Sequence, residues 1–327
     1  MSETPSAWRG GSAEDRRIRA LRPARPQVDT SQPFDLLYED ERLADGSTAS
    51  TMTIFLVGRE CPFTCVFCDL WRMTTVEPTP PGAISQQIAM ALDATIPNVR
   101  PPTQIKLYNA SNFFDEQAVP SADDPEIVVM LNRRRFKQVV VECHPRLFSP
   151  RTVRFGDALD GRLQIATGLE TIHPDALPRL NKKASLADFD RLAAATRDWN
   201  MGLRAFVLIG APFVPLAESL TWAVRSAIYA FDQGAEHVTL IPIRRSAGEM
   251  ERLESEGAFR QPTLGEIEEV FDRCLELLTP GTINVDLWDL ENFSRCSACF
   301  VARRERLEQM NLDAQRRPAV SCRECGG

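Results

Sequence analysis

The sequence predicts an α/β protein: an incomplete six-unit (β/α)6 barrel carrying a small C-terminal cysteine-rich appendage that binds metal. Three observations predict it. Short runs of β-branched and apolar residues alternate with amphipathic stretches from about residue 50 to 280, and such alternation gives parallel sheets because a crossover helix must bring the chain back to the same end of the sheet. Three cysteines, Cys61, Cys65 and Cys68, follow the first of these runs. Four more stand as two pairs, Cys296 with Cys299 and Cys322 with Cys325.

Taken in order, residues 1–46 are rich in Arg, Pro, Asp and Ser with little periodicity, and are expected to form a flexible N-terminal arm. The barrel is expected over 47–280. Its strands are read at Thr53 to Val57, Gln104 to Tyr108, Gln138 to Glu142, Leu163 to Thr167, Leu203 to Ile209 and His237 to Ile243. Among the helices, Ser185 with Asp188 three residues on forms a cap ahead of Leu186, Phe189, Leu192 and Ala193. Leu216, Leu220, Val224, Ile228 and Phe231 make one stripe between Pro215 and Gln233, ended by Gly234. Thr263 and Glu266 form a capping box before Ile267, Val270, Phe271, Cys274 and Leu278. Six units leave a barrel open on one side, with functional groups at the C-terminal ends of its strands. Residues 281–327 are the appendage.

A chain of 327 residues with 43% hydrophobic content can bury a sizeable core. No apolar run reaches transmembrane length and the N-terminus lacks the hydrophobic region of a secretory signal, so a cytoplasmic protein with no membrane partner is expected. In a reducing compartment, nine cysteines point to metal ligation ahead of disulfides. The net charge of -7 argues against a globally basic nucleic-acid binder. Local basic clusters remain, at Arg133-Arg134-Arg135 with Lys137, at Arg244-Arg245, and at Arg303-Arg304 with Arg306.

The run Thr53-Ile54-Phe55-Leu56-Val57 leads directly into Cys61-x-x-x-Cys65-x-x-Cys68, so three thiolates share one short loop. Three cysteine ligands leave one iron of a 4Fe–4S cluster open to an external chelator. A zinc knuckle or plain ferredoxin-type site would need a fourth ligand nearby, and none of the three histidines is local. This loop after the first strand resembles that of the radical S-adenosylmethionine (SAM) superfamily, and the likeness covers roughly residues 50 to 280. The resemblance implies that SAM chelates the open iron. One electron from the cluster then splits it into methionine and a 5′-deoxyadenosyl radical that abstracts hydrogen from a substrate. Phe67 matches the aromatic that superfamily members place beside the adenine.

The ends of the later strands supply the other candidates. Asn109-Ala110-Ser111-Asn112 stands where the superfamily carries a Gly-Gly-Glu-type motif for the SAM amino group; the glycines and glutamate are missing, so Asn109, Ala110 and Ser111 are either its replacement or an ordinary polar loop. Glu142-Cys143-His144-Pro145 and Gly168-Leu169-Glu170-Thr171 follow the third and fourth strands. Glu142 and Glu170 are expected to meet cations or SAM polar groups, because an unpaired buried carboxylate is costly. His144 is either a satisfied structural histidine or a substrate or proton-transfer residue. With Asn181-Lys182 and Ala211-Pro212-Phe213, these segments resemble the branch holding the elongator catalytic subunit and the radical SAM partner of archaeosine synthase, though His144 replaces an arginine and the cysteine spacing of that partner differs. Leu208 and Ile209 fall where the superfamily packs apolar side chains on adenine, and Gly210 would permit backbone approach. A plain core strand would read the same.

The pairs Cys296/Cys299 and Cys322/Cys325 are separated by 22 intervening residues, near the spacing of a structural zinc site, with an auxiliary iron–sulfur cluster as the rival. A short helix over Phe300 to Met310 would bridge the pairs. Cys143 and Cys274 read as a loop thiol and a core thiol. The expected activity is hydrogen abstraction started by reductive SAM cleavage, with a reductant such as flavodoxin or ferredoxin as partner. The substrate reading is a tRNA nucleoside; a small metabolite or peptide is the alternative. A non-catalytic electron carrier, or a zinc-stabilised RNA-binding module, would explain the cysteines but not the six units.

Overall fold

Among the described residues eight strands, not six, follow one another in chain order along one sheet. The computed structural model describes residues 11–94, 100–277 and 281–325. The six expected strands are present as β2 (Thr48–Phe55), β3 (Gln104–Tyr108), β4 (Gln138–Glu142), β5 (Arg162–Glu170), β6 (Gly202–Ile209) and β7 (His237–Pro242). Two were not read from the sequence: β1 (Asp35–Arg42) and β8 (Thr282–Val285). β1 reads Asp-Leu-Leu-Tyr-Glu-Asp-Glu-Arg, a composition that strands usually avoid. Here three of its four acids are paired with cations, Glu39 with Lys106, Asp40 with Arg100 and Glu41 with Arg204. β8 has only four residues. Within the stretch expected to be an arm, residues 13–20 form helix α1 (Ala13–Ala20), capped by Ser12 and Asp15, and residues 35–42 form β1.

Chain contacts divide the molecule into two units, described separately. The first comprises the chain up to Asp40, Ala49–Thr167 and Asn181–Leu203. In it β2, β3, β4 and β5 pair in parallel, with Thr53 beside Lys106, Ile105 beside Val139, and Glu142 beside Ala166. The helices α2 (Ala83–Asp93), α3 (Asp124–Arg134), α4 (Pro150–Asp157) and α5 (Leu186–Asp198) belong to this unit. Ile84, Ile88, Ile127, Leu131, Phe155 and Phe189 are buried on them, as are Ile54, Leu107, Val140 and Ile165 on the strands. The expected capping box of α5 is present, with Ser185 accepting from the Asp188 N–H. α2 begins at Gly82, which has no side chain to cap it, and Asp123 instead accepts from the Gly82 N–H at 2.7 Å.

The second unit holds Glu41–Thr48, Gly168–Leu180 and the chain from Arg204 on. β6, β7 and β8 pair in parallel, Arg204 beside His237 and His237 beside Thr282. α6 (Ser219–Asp232) starts later than its apolar stripe suggests, because Leu216–Glu218 is a separate 3-10 turn. α7 (Leu264–Leu277) has the expected Thr263/Glu266 box, and Leu278 lies outside the described residues. α8 (Ser297–Asp313) contains the whole of the expected bridging helix. Asn311 ties α8 to β8 by bonding both the N–H and the carbonyl of Val285 at 2.9 Å.

Candidate metal and cofactor sites

After β2 the chain is clipped before it reaches the first cysteine. Buried Gln87 of α2 accepts from the Val57 N–H and donates to the Val57 carbonyl, both at 2.8 Å, which satisfies both backbone groups of a strand that has lost its ladder. Gly58 follows, where a Cβ would stand 2.6 Å from the Ala118 carbonyl oxygen, so no other residue fits. The Glu60 N–H donates to Thr75 and the Thr75 N–H to Gly58, each at 2.9 Å, closing the base of a loop that carries all three cysteines. Cys61, Cys65 and Cys68 are free thiols. Burial, then the neighbouring Cys65, pushes Cys61 up to about 12, and the same two causes raise Cys68. Without a cation Cys61 and Cys68 stay protonated; bound iron would supply the charge that makes them thiolates. The donor set therefore fits a cluster with three protein ligands. Phe67 is half-buried on the same loop.

The end of β3 faces unmet hydrogen-bonding demand. Asn109 is fully buried, yet neither its Oδ1 nor its Nδ2 has a partner among the described residues, and the buried Ser111 hydroxyl is also unpartnered. Buried polar atoms are nearly always satisfied, so these three suit a polar ligand. Ala110 between them adopts φ +51°, a left-handed conformation that a bulky residue would resist. The Asn109 N–H donates to Glu142 at 3.1 Å. Burial raises the Glu142 carboxyl to about 7, against the lowering effects of that bond and of Lys182.

Asn112, not read as a site residue from the sequence, links the two loops: its Nδ2 donates to Cys61 Sγ at 3.3 Å and its Oδ1 accepts from the His144 N–H. His144 has both ring nitrogens engaged. Nδ1 accepts from the Arg146 N–H at 3.2 Å, which leaves Nε2 to donate to the Lys182 carbonyl at 2.9 Å. Burial, then Lys182, holds its pKa well below the ordinary imidazole value. Of the two readings the sequence left open, this geometry favours the structural one. Cys143, read as a loop thiol, follows β4 but is buried, with its thiol pushed up to about 12, and Cys274 is buried as the core thiol it was read to be.

Thus the first unit brings together the cysteine loop, Asn109, Ala110, Ser111, Glu142 and His144. Glu170, Leu208, Ile209 and Gly210 belong to the second unit. There Glu170 is buried at φ +67°. Leu208 and Ile209 are buried in β6, and Gly210 adopts φ +87° with its missing Cβ directed at Pro262, 3.0 Å away.

The second unit also holds Cys296, Cys299, Cys322 and Cys325, whose sulfurs all lie within 4.8 Å of one another. Cys296 and Cys299 stand at the start of α8, and Cys322 and Cys325 return to them, with sulfur pairs 3.8 Å and 3.7 Å apart. Arg306 enforces that return: it donates to the Arg317 and Pro318 carbonyls while pairing with Asp272 of α7 at 2.6 Å. Arg303 pairs with Glu268 beside it. A tetrahedron with metal–sulfur bonds of about 2.3 Å has edges of roughly 3.8 Å.

No family model matches the chain. It is 21% identical over 300 residues to an uncharacterized protein of Methanocaldococcus jannaschii, the match covering 87% of this chain and 82% of the other. A radical SAM methyltransferase from Sphaerobacter thermophilus superposes with a TM-score of 0.50 at 15% identity, over 81% of this chain and 77% of that one. The chain has the radical SAM fold. Archaeal Elp3 of Methanocaldococcus infernus, lacking residues 1–46, gives a TM-score of 0.51 at 12% identity over 80% of this chain. The chain spans 63% of that Elp3 and 35% of the radical SAM methyltransferase TsrM from Kitasatospora setae. No described helix is long and apolar enough to cross a membrane.

Proposed function

We propose that this chain is a radical SAM enzyme in which Cys61, Cys65 and Cys68 hold a 4Fe–4S cluster. The observation that carries the reading is the pairing of a three-thiol loop with unsatisfied buried polar atoms on Asn109 and Ser111 in the same unit. When bound, the reduced cluster and SAM together supply a 5′-deoxyadenosyl radical. The chain's own residues bind and orient. Asn109 offers both a donor and an acceptor to the SAM amino-acid moiety, and Ser111 a hydroxyl. Glu142, close to half-ionised near neutrality, would gain its charge when the SAM ammonium arrives. For adenine, and for ribose hydroxyls or substrate, the resemblance offers Leu208 with Ile209 and Glu170 respectively. A flavodoxin or ferredoxin would deliver the electron.

Protein reconstituted with iron and sulfide without oxygen should show broad visible absorbance that a reductant bleaches, and should release 5′-deoxyadenosine from SAM. The variant with Ala at Cys61, Cys65 and Cys68 should lose both. Full absorbance in that variant would overturn the site; an intact, reducible cluster that never cleaves SAM, with or without cell extract, would favour an electron carrier.

For the C-terminal quartet we propose zinc. A cubane cluster sets its thiolates at the outer corners of a metal–sulfide cube, farther apart than the sulfurs stand here, whereas a single tetrahedral ion matches the 3.7 and 3.8 Å pairs.

The proposed substrate is a tRNA nucleoside, supported by the exposed Arg133 and Arg135 with Lys137 nearby. A small metabolite or peptide is favoured by a different observation: the other two basic clusters are used internally. Arg244 pairs with Asp286, Arg245 with Glu254, Arg303 with Glu268, Arg304 with Glu308 and Arg306 with Asp272. Bulk tRNA should bind at low salt, less well when Arg133 and Arg135 are changed to Glu. No binding even at low ionic strength would leave the small substrate.

A further inference from the structure

The stretch Ser12–Arg25 touches the cysteine loop at three places: next to Cys61, next to Cys65, and at Trp71 and Thr74 after Cys68. Asp15, on α1 and almost fully buried, accepts from the Thr64 hydroxyl at 2.5 Å and from Asn181 Nδ2 at 2.8 Å. Asn181 in turn reaches the Thr64 carbonyl at 2.9 Å and its hydroxyl at 2.8 Å. Thr64 is the residue before Cys65. Arg22 and Arg25 grip Glu60, the residue before Cys61, Arg22 at 2.7 Å. Arg25 also donates to the Trp71 carbonyl and to both oxygens of Thr74, at 2.9 and 2.6 Å, on the turn that leaves Cys68. The Arg22 and Arg25 guanidinium groups lie 4.8 and 5.4 Å from the centre of the Trp71 ring.

These bonds are of the strong kind. Burial alone would raise the Asp15 carboxyl, yet donors from Thr64, Asn181 and Ser12 hold it well below the usual carboxylate range. The Arg25 contacts are charge-assisted or converge on backbone carbonyls. The loop's own ties include its base at Gly58, Glu60 and Thr75, the turns from Cys65 to Cys68 and from Asp69 to Arg72, and the Thr74 hydroxyl on the Trp71 carbonyl. A cavity of about 400 Å3 is lined by residues of both segments, Arg22 and Arg25 from the first and Glu60, Cys61 and Trp71 from the second.

We propose that Ser12–Arg25 is a strap that holds the cysteine loop in its ligating geometry, with Asp15 and Arg25 as positioning residues. This rests on the cluster assignment above. Loss of a group that bonds directly to a metal ligand commonly weakens metal retention by about 10–100-fold; the strap acts one step further out, on residues flanking the cysteines in the chain, so an effect near the lower end of that range is expected. The strap lies well before the cysteines in the chain, so its role is separable from theirs by mutation.

The test uses the full chain, reconstituted without oxygen, as Asp15→Ala, Arg25→Ala, the milder Arg25→Lys, and the pair Thr64→Val and Thr64→Ser. Iron per chain, the EPR spectrum of the reduced cluster and the bleaching rate in air are measured; far-UV circular dichroism and the C-terminal metal content confirm folding. The expected result is bleaching about tenfold faster or more in Asp15→Ala, Arg25→Ala and Thr64→Val, with altered EPR, while Thr64→Ser matches the parent because it keeps the hydroxyl. Folded variants that keep the parent's iron, EPR and bleaching rate overturn the strap and leave the cluster standing. A parent that binds no iron overturns both.

Discussion

The ring of Phe63 lies flat on that of His144, centroids 3.8 Å apart and planes inclined by 20°. This stack joins the cysteine loop to the end of β4, and a neutral imidazole suits it better than a hydrated cation would. His144 is held neutral by burial, so its folded pKa lies below the unfolded value of about 6.5. The unfolded chain then binds more protons as the pH falls. Its stabilisation is present above roughly pH 6.5 and lost progressively below it. Urea midpoints at pH 7.5 and 5.5 should differ in the parent and differ less in His144→Phe, which keeps the stack. At pH 7.5 that variant should be weaker by about 1–3 kcal/mol, because the Lys182 carbonyl and Arg146 N–H lose their partner.

Glu142 should act in the opposite direction. Its carboxyl is raised from 4.5 to about 7 by burial, so the folded chain holds its proton more tightly than the unfolded chain does. The stability it contributes is full below about pH 4.5 and is lost as the pH rises through 7, a change of roughly 3 kcal/mol at most. Glu142→Gln, which cannot ionise, should remove this loss and raise the urea midpoint at pH 8 while leaving it near the parent's at pH 5. Identical shifts at both pH values would show that Glu142 is not protonated in the folded chain.

Arg204 and Glu41 form a two-pronged ion pair inside the second unit, both bonds 2.8 Å long and both side chains buried. Removing one partner strands the other's charge, which typically costs 3–5 kcal/mol, whereas replacing the pair with apolar groups of similar volume is often close to neutral. Arg204→Met should therefore lower the unfolding midpoint sharply, and Glu41→Leu with Arg204→Met should recover much of the loss. A double variant as weak as the sum of the singles would refute the stranded-charge account.

That pair also explains what the sequence hid. β2 to β7 were legible because their apolar runs are local signals, and the Ser185 and Thr263 boxes because capping acts over three residues. β1 was not, since its charges look like a solvent-facing arm until Lys106 and Arg204 arrive from distant parts of the chain. The same holds at the sites. Cysteine spacing pointed to both groups of thiols, but Asn112 on Cys61, Phe63 on His144 and Asp15 on Thr64 are meetings between remote segments. Even the Ser12–Asp15 box, a readable cap, sits in a stretch whose composition suggested disorder.

The C-terminal quartet gives the last prediction. Residues 314–325 are joined to α8 by Arg306, by Arg317 on Asp313 and by the facing cysteines, and to α7 by Arg316 on Asp272 and Glu276, with Ala314 at φ +54° ending the helix. So short a return has little apolar surface of its own, and metal binding should supply much of the free energy that orders it. Elemental analysis of the Cys61/Cys65/Cys68 triple-Ala variant should find about one zinc per chain and almost no iron. A strong chelator should then expose the segment after Asp313 to proteases while the thermal unfolding of the rest shifts far less, because α8 stays fixed to β8 through Asn311 and to α7 through Arg303 and Arg306. Iron with acid-labile sulfide in that variant would mean an auxiliary cluster, and would require the sulfurs to spread from their present separations. Protease resistance unchanged by complete metal removal would show that the arginine contacts alone hold the segment.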